Sequence, residues 1–333
     1  MITRRDFLTG TAQATAATAA ALSLTQTGLA SNEDKQQPLA IIDTHQHLWD
    51  LKKFNLPWLA DQEGVLKESH TPDTYHEHIK GTNITKSVYM EVDVAVEQQV
   101  QEAEYVIELC KAGKTPTVAA VISGRPAEET FGKYISQFKD NPFIKGVRQV
   151  LFPQKIGLCL EPTFVKNMKL LGELGLSFDL CMRATRISDG YKLAQQCPDT
   201  QFILDHCGNA DPHAFGELAK RGDVQATHQA EPWKKDLAQI AKCENVVCKI
   251  SGIVARAPEK DWKPEHLAPI VNFCLDEFGP DRVVFGSDWP VCRLRASLKE
   301  WVDALLQIIA ERPRDQQEKL LYSNAQQIYT LES

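Results

Sequence analysis

Eight short apolar runs, alternating with stretches of helical spacing, are the feature that most constrains the fold of this 333-residue chain. Runs that are apolar on both faces are typical of parallel strands buried between a core and covering helices, and eight such strands close a barrel. We therefore predict a single-domain (β/α)8 TIM barrel. The predicted strands lie at residues 41–47, 86–92, 117–122, 144–151, 176–182, 201–206, 245–250 and 282–288.

The alternative architecture is an open, doubly wound parallel sheet. Such a sheet normally carries a Gly-rich turn after its first strand, whereas this chain has His45 and His47 there. Residues 96–112 show the helical spacing expected between barrel strands. The segments 48–72 and 207–232 are long loops after predicted strands, so we expect them to form walls of an active site.

The first 30 residues are predicted to lie outside the barrel domain, which then spans 31–333. They carry Arg4-Arg5, an uncharged run rich in Ala, Thr and Leu, and a small-x-small cleavage site that ends at Ala30. This pattern is typical of a bacterial twin-arginine export signal. We expect the twin-arginine export machinery as a partner and a periplasmic or secreted protein. The run is too polar to act as a stable membrane anchor.

The charge of the mature chain bears on its partners. Removal of Arg4, Arg5 and Asp6 takes the 37 basic and 44 acidic side chains to 35 and 43, a net charge of −8. An acidic chain without basic runs argues against a nucleic acid or an anionic membrane as partner. A small-molecule substrate is expected instead from the motifs described below. The pattern gives no indication of the oligomeric state.

Nine cysteines are scattered without Cys-x-x-Cys spacing. Most lie in apolar stretches, where a free thiol behaves as a small hydrophobic side chain. An oxidising compartment normally favours disulfides, but a protein that folds before export can keep its thiols. We therefore predict no essential disulfide.

Two histidines two residues apart, His45 and His47, follow the first apolar run. On a strand, such positions point the same way, and at the C-terminal end of a barrel strand they face the mouth where barrel enzymes act. The pair is also compatible with a hydrogen-bonded core. His76 and His78 have the same spacing but follow a helix start at Pro72, so we expect them to be solvated surface.

Polar residues end two further strands. Strand six ends in Asp205-His206, and strand eight in Ser287-Asp288. Each residue alone has a simple alternative, a hydrogen-bonded strand end for His206 and a turn or helix cap for Asp288. Together with the two histidines of strand one, they form either a zinc-type metal site or a metal-free acid–base cluster.

These motifs resemble the amidohydrolase superfamily, and more closely its branch of amidohydrolase-related lactonases, such as fuconolactonase and pyrone-dicarboxylate lactonase. The resemblance extends over essentially the whole mature chain. It implies a TIM-barrel hydrolase that opens a cyclic ester. The segments that carry it are residues 43–50, 145–148, 204–209, 249–252 and 285–290, with Asn324-Ala325 and Tyr329.

One departure from the superfamily bears on the metal. Members with two metals resemble one another in a bridging Lys or Glu at strand four and a His at strand five. Here strand four ends near Arg148, and strand five reads Phe-Asp-Leu-Cys-Met without a His. A binuclear centre is therefore not expected, and the lactonase branch includes members that work without a metal. The residues expected to hold one divalent ion or none are His45, His47, His206 and Asp288.

Several other residues are candidates for substrate binding. Arg148 could bind a substrate carboxylate or the lactone oxygen, or form a salt bridge. Glu91 could accept hydrogen bonds from sugar hydroxyls, or cap or pair with a charge. Trp49 and Trp289 follow predicted strands, where tryptophans stack on sugar rings or anchor loops. Trp58 and Trp233 are also expected in loops on the mouth side, with the same two alternatives.

Two further residues are expected to be structural. Lys249, on strand seven, is predicted to lie inside the barrel as a counter-charge to Asp288. His266 opens a helix and is predicted to be on the surface.

The resemblance implies lactone hydrolysis, with Asp288 as the general base for water and His206, alone or with the other two imidazoles, polarising the carbonyl. Arg148 would orient the substrate. The nearest alternative is a metal-dependent, non-oxidative decarboxylase of a small aromatic or muconate-type acid, but such enzymes generally carry a strand-five His. A third alternative is a carbohydrate-binding protein without activity, which we would expect to have lost one of the four mouth residues.

Overall fold

The computed structural model describes residues 37–332, and within them all eight predicted strands form. They make one parallel sheet in which each strand pairs with the next in chain order. The strands are β1 (Ile41–Gln46), β2 (Ile84–Met90), β3 (Thr117–Ser123), β4 (Ile144–Val150), β5 (Ser177–Cys181), β6 (Phe202–Leu204), β7 (Val246–Ile250) and β8 (Val283–Phe285).

The sheet closes into a barrel where the end of β1 meets the segment after β8. The backbone N–H of His47 donates to the carbonyl of Trp289 at 2.8 Å, and that of Asp288 to the carbonyl of His45 at 2.9 Å. The predicted (β/α)8 barrel is therefore confirmed, and the closure brings the ends of the first and last strands together.

Helices follow the strands and cover the barrel. Thr71 caps the first of them with its hydroxyl, in a reciprocal capping box with Thr74. Gly113 ends the second in a left-handed conformation with φ of 60°. The helices are α1 (Pro72–His78), α2 (Gln99–Ala112), α3 (Phe131–Ile135), α4 (Pro162–Glu173), α5 (Ile187–Gln196), α6 (Gly216–Arg221), α7 (Ala230–Ile240), α8 (Pro264–Phe278), α9 (Leu298–Ile308), α10 (Arg314–Glu318) and α11 (Asn324–Ile328).

The apolar core has two parts. The larger part lies between the strands and the surrounding helices. The smaller contains residues of six strands, such as Val88 and Val284, and Tyr329 after α11 packs against them. Strand side chains alternate between the two sides of a barrel wall, so this smaller cluster fills the inside of the barrel, and the chain's last segment joins it.

Two surface or loop predictions are wrong. His266 is only 4% exposed, because its Nδ1 accepts the N–H of Lys263 at the start of α8 and the ring turns inward. Trp233 lies in helix α7 and is buried, with its indole N–H donating to the carbonyl of Cys207 at 3.1 Å. Of the histidine pair on α1, His76 is exposed, whereas His78 is half-buried against Trp289.

The predicted export signal, residues 1–30, lies outside the described residues. Within 37–332, no helix combines the length and apolar character that a membrane span needs. All nine cysteines are free thiols, and eight of them are buried.

Candidate active site at the barrel mouth

The four residues expected at the mouth lie together. The carboxylate of Asp288 is at the centre, with Oδ1 3.6 Å from Nε2 of His45 and 3.4 Å from Nε2 of His47. Its Oδ2 lies 3.9 Å from Nδ1 of His206. All four side chains are largely buried, so the group forms the floor of a cavity rather than a patch on the surface.

A left-handed turn presents His206 to this floor. Strand β6 ends at Leu204. Beginning two residues later, the four residues from His206 to Asn209 all have φ between 53° and 64°. Such a conformation costs about 1–2 kcal/mol for each residue other than glycine. It is held by the side chain of Asn209, which donates to the carbonyl of Met182 at 2.8 Å, and by the indole of Trp233. Strained backbone of this kind concentrates at functional sites.

Gly252, in the segment after β7, gives His206 and Asp288 the room to approach each other. A Cβ at this position would lie 2.3 Å from Nδ1 of His206 and 3.0 Å from Oδ2 of Asp288. The φ of Gly252 is 67°, which also favours glycine. Ser251 lies beside it, with its hydroxyl 2.9 Å from Nδ1 of His206. The Lys-Ile-Ser-Gly segment therefore shapes the site through its serine and glycine.

Asp43 is a supporting residue that the sequence argument did not single out. Its buried carboxylate accepts hydrogen bonds from the N–H of Ser287 at 2.7 Å, from the hydroxyl of Tyr75 at 2.8 Å and from the N–H of His45 at 3.1 Å. The Ser287 hydroxyl donates to it as well. Because Ser287 precedes Asp288, this one carboxylate fixes the backbone beside His45 and beside Asp288 at once.

A buried network of charges lies next to the floor. Lys249 is fully buried and pairs with Asp179 at 2.6 Å and with Asp205 at 3.1 Å. The prediction that Lys249 is the counter-charge to Asp288 is therefore wrong: carboxylates on β5 and after β6 are its partners. Asp205 also lies 3.5 Å from Nδ1 of His45. Sequence reasoning missed Asp205, although its position directly before His206 could have indicated it.

Arg148 lines the mouth cavity, but most of the nitrogen atoms of its guanidinium already form hydrogen bonds within the protein. Its Nε donates to Oε1 of Glu91 at 2.6 Å, and its Nη2 donates to the carbonyl of Glu91 at 2.7 Å. The remaining Nη1 lies 3.2 Å from Nε2 of His45. Glu91 is fully buried, and it pairs with Arg148 rather than facing the cavity.

The predicted aromatic residues divide between the cavity and its support. Trp49 and Trp58 line the cavity, and their indole N–H groups donate to the carbonyls of Glu68 and Val92. Trp289 is fully buried and packs edge-on against the rings of His70 and Tyr75. The structure thus places Trp289 under the mouth and not in contact with the cavity.

The protonation of the floor follows from burial and mutual charge. Burial alone would raise the pKa of Asp288, but the imidazoles, His206 foremost, lower it to about 2. Burial lowers the pKa of His45 well below its usual value and also lowers that of His206. At neutral pH the floor therefore combines a carboxylate with neutral rings at His45 and His206.

The cavity above this floor measures about 460 Å³, a size in the range of small-molecule sites. Its floor is polar and its walls are mainly apolar. The loop 48–72 contributes walls as predicted, whereas the loop 207–232 contributes only Asn209. The wall residues are Trp49, Trp58, Gln62, Leu66, Val92, Asp93, Val150, Phe152, Pro153, Cys181, Asn209, Gly252, Ala255, Arg256, Val291 and Leu294.

His45, His47 and Asp288, here called the mouth triad, have the chemistry of a divalent metal site. Their ligand atoms lie within 4.8 Å of one another. Nδ1 of His47 lies 3.0 Å from the carbonyl of Met90, which can only accept, so Nδ1 carries a proton and Nε2 is the nitrogen left to bind an ion beside Asp288. Lone pairs that converge on a carboxylate suit a bound cation, so these residues fit an ion of the zinc type.

The family of the chain follows from its match to known sequences. The family model described as amidohydrolase matches residues 42–331, nearly all of the described chain. The chain belongs to this amidohydrolase family. The chain is similar to an L-fucono-1,5-lactonase from Burkholderia multivorans, with 26% identity over an alignment of 269 positions that covers 78% of this chain and 85% of the relative. An L-rhamnono-gamma-lactonase from Scheffersomyces stipitis is 22% identical, over 87% of this chain and 98% of its own.

Solved structures show the same amidohydrolase fold. An amidohydrolase from Burkholderia multivorans with bound zinc matches with a TM-score of 0.75 at 22% identity, and covers 88% of this chain and 100% of its own. A 2,6-dihydroxybenzoate decarboxylase bound to 2,6-dihydroxybenzoate matches with a TM-score of 0.62 at 13% identity, over 88% and 100% of the two chains. At these identities, the likeness establishes the barrel and leaves the chemistry to the residues of the site.

Proposed function

We propose that this protein is a hydrolase that opens a small lactone of the sugar-acid type. The observation that carries the proposal is the carboxylate of Asp288, ionised at neutral pH and set among three imidazoles on the floor of a small-molecule cavity. Relatives named as L-fucono-1,5-lactonase and L-rhamnono-gamma-lactonase support the lactone as the substrate class.

Asp288 is the general base in this proposal. As the oxygen of a water molecule bonds to the lactone carbonyl carbon, the carboxylate takes one of its protons. When the tetrahedral intermediate collapses, the bond between the carbonyl carbon and the ring oxygen breaks. Asp288 then returns the proton to that oxygen, and the product is a hydroxy acid.

His206 stabilises the negative charge that develops on the carbonyl oxygen. Its Nδ1 is held by the hydroxyl of Ser251 at 2.9 Å, so with Ser251 donating, Nε2 carries the proton of the neutral ring and is free to donate to that oxygen. Arg148 adds a fixed positive charge at the edge of the floor. A divalent ion held by His45, His47 and Asp288 would polarise the carbonyl and acidify the attacking water.

A screen of sugar lactones and of carboxylated aromatic acids tests the function directly. We expect release of one acid equivalent per lactone opened, followed with a pH indicator, and no release of carbon dioxide. The Asp288→Asn protein, purified in parallel, controls for a contaminating lactonase. Carbon dioxide from an aromatic acid without lactone opening would replace the proposal with the decarboxylase alternative.

The decarboxylase alternative rests on the fold shared with the 2,6-dihydroxybenzoate decarboxylase. Strand β5 carries no histidine, which such decarboxylases generally have there: Asp179 forms an ion pair with Lys249, and Cys181 lines the cavity. A carbohydrate-binding protein without activity would bind sugars in the same screen and turn none of them over.

Export to the periplasm stays a prediction from residues 1–30.

A further inference from the structure

The guanidinium of Arg148 already contacts His45, one residue of the mouth triad. Nη1 of Arg148 lies 3.2 Å from Nε2 of His45, and both side chains are nearly or fully buried. A guanidinium has donors only, so Nε2 of His45 must be the acceptor and cannot carry a proton. The proton of the neutral ring is then on Nδ1, which faces the carboxylate of Asp205 at 3.5 Å.

Arg148 is held firmly in this position. Glu91 accepts from its Nε and Nη2 through the carboxylate and the backbone carbonyl, and the other carboxylate oxygen accepts the N–H of Asp93 at 2.7 Å. Asp205 lies 3.7 Å from Nη1. Charge-assisted hydrogen bonds between buried groups are among the strongest in proteins, so the guanidinium is a fixed positive charge beside the triad.

We propose that Arg148 is a resident cation of the mouth triad, which competes with a divalent metal ion for His45. The lone pair on Nε2 that a metal would use is the one that accepts from Arg148. An ion bound there must displace the guanidinium or sit beside it, and two positive charges a few ångströms apart in a buried site repel strongly. The Arg148–Glu91 pair thereby sets how tightly the triad binds a metal.

Removal of the pair as a unit tests this assignment. The variant Arg148→Met/Glu91→Gln deletes a positive and a negative charge together, so neither is left unpaired. After treatment with a chelator, Co²⁺ is titrated into each protein by calorimetry, and the visible spectrum of the ion reports its ligands. We expect the double variant to bind Co²⁺ at least roughly tenfold more tightly than the wild type. Equal or weaker binding by the folded double variant would overturn the proposal.

A second arginine–carboxylate pair at the mouth provides a matched control. Arg125 donates to Asp93 at 2.6 Å, and its other recorded hydrogen bonds go to Ser123 and Gly124 rather than to an imidazole. Arg125→Met/Asp93→Asn should therefore change the Co²⁺ affinity by no more than about twofold. An equal gain in this control would show a general charge effect and reject the specific role of Arg148.

The wild-type protein offers an independent measurement if the double variant does not fold. In the metal-free protein, ¹⁵N spectra of the histidine side chains, with His45 assigned by comparison with His45→Asn, should show Nδ1 protonated and Nε2 unprotonated. A protonated Nε2 would exclude the contact with Arg148 and overturn the proposal. Neither measurement uses a substrate, so the inference and the proposed lactonase activity can fail separately.

Discussion

Two groups of three potential metal ligands share no residue, and they differ in almost every respect except geometry. One is the mouth triad of His45, His47 and Asp288. The other, here called the thiol cluster, consists of Cys207 in the left-handed turn, Cys248 on β7 and Cys274 on α8. In both groups, the ligand atoms lie within 4.8 Å of one another and the residues are buried.

The difference lies in polar support and access. His47 and Asp288 of the triad line the cavity, and the two rings contact Arg148, Asp205 and the carbonyl of Met90. The cysteines of the thiol cluster belong to the apolar core, and none of them is among the residues that line the cavity. Their one recorded side-chain hydrogen bond to the backbone runs from Cys207 to the carbonyl of Lys249, at 3.8 Å.

Burial raises the pKa of Cys248 and Cys274 well above the usual value, which keeps these two thiols neutral. Burial also acts to raise the pKa of Cys207, but hydrogen bonds from Cys248 and Cys274 outweigh it and lower that pKa well below the usual value. The comparison teaches that convergence of ligand atoms does not by itself make a functional site. A carboxylate, rings with a defined proton position and a path to solvent distinguish the triad, whereas the three thiols hydrogen-bond to one another within the apolar core and do not line the cavity.

The largest expected effect belongs to the triad. Asp288→Asn removes the base but keeps the shape, so we expect kcat for lactone opening to fall by about 10³-fold or more, with the melting temperature nearly unchanged. Steady-state kinetics and thermal unfolding measure the two effects. Retained turnover would reject Asp288 as the base and remove the main functional contrast between the two groups.

The next effect concerns Asp205, whose carboxylate lies between Lys249 and His45. In the sequence, Asp205 is followed by His206 of the floor and by Cys207 of the thiol cluster. Asp205→Asn leaves Lys249 with only Asp179 as a counter-charge, and breaking such a buried pair costs about 3–5 kcal/mol of the free energy of unfolding. Urea unfolding measures the loss. The triple variant Asp179→Asn/Asp205→Asn/Lys249→Met removes the cation together with both carboxylates and should restore part of the loss, and no recovery would show that the charge pairing is not the cause.

A smaller effect should appear in the pH dependence of stability. His70, which packs on Trp49 and Trp289 beneath the mouth, has its pKa lowered by burial to about 4. The unfolded chain takes up a proton near pH 6.5, before the folded protein does, so stability falls as the pH falls from 6.5 to 4. For one such residue, the loss between pH 7 and pH 5 is about 2 kcal/mol.

Unfolding of the wild type and of His70→Gln at the two pH values isolates this contribution, because Gln can still donate to the carbonyl of Val65. The variant should lose less stability than the wild type over the same interval. Cys248→Ala should follow the wild type, since neutral thiols do not titrate there. An equal slope in all three proteins would show that His70 does not cause the loss.

The smallest effect is expected in the thiol cluster. Cys248→Ala removes a buried sulfur and should cost about 1–2 kcal/mol of the free energy of unfolding, with kcat unchanged. Cys248→Ser should cost more, because its hydroxyl would be buried among apolar neighbours. If Cys248→Ala instead released a stoichiometric metal ion from the purified protein, detected by elemental analysis, the contrast with the triad would be lost.

The sequence was sufficient for the barrel because its signal is local and repeated. Each strand is an apolar run that can be read from a few residues, and the ends of parallel strands meet at one mouth by topology. This is why His45, His47, His206 and Asp288 could be grouped in advance although more than 240 positions separate the first from the last.

The sequence was insufficient where a side chain has several oppositely charged candidates. The partners of Lys249 could not be chosen among the carboxylates of neighbouring strands without the register of β5, β6 and β7. For Glu91 and Arg148 the sequence left both substrate binding and an ion pair open, and nothing in the linear pattern shows that they bind each other. Burial of His266 depends on a cap at its own helix start, which composition alone does not reveal.

The carboxylate of Asp43 joins parts of the chain that are made at opposite ends of synthesis, since 244 positions lie between it and Ser287. When the first seven strands have been synthesised, the nascent chain therefore contains all three imidazoles of the site but not yet the carboxylate of Asp288. Such a nascent chain has no means to act on an ester. In the proposed mechanism, the general base is therefore added only with the last strand, when the barrel closes.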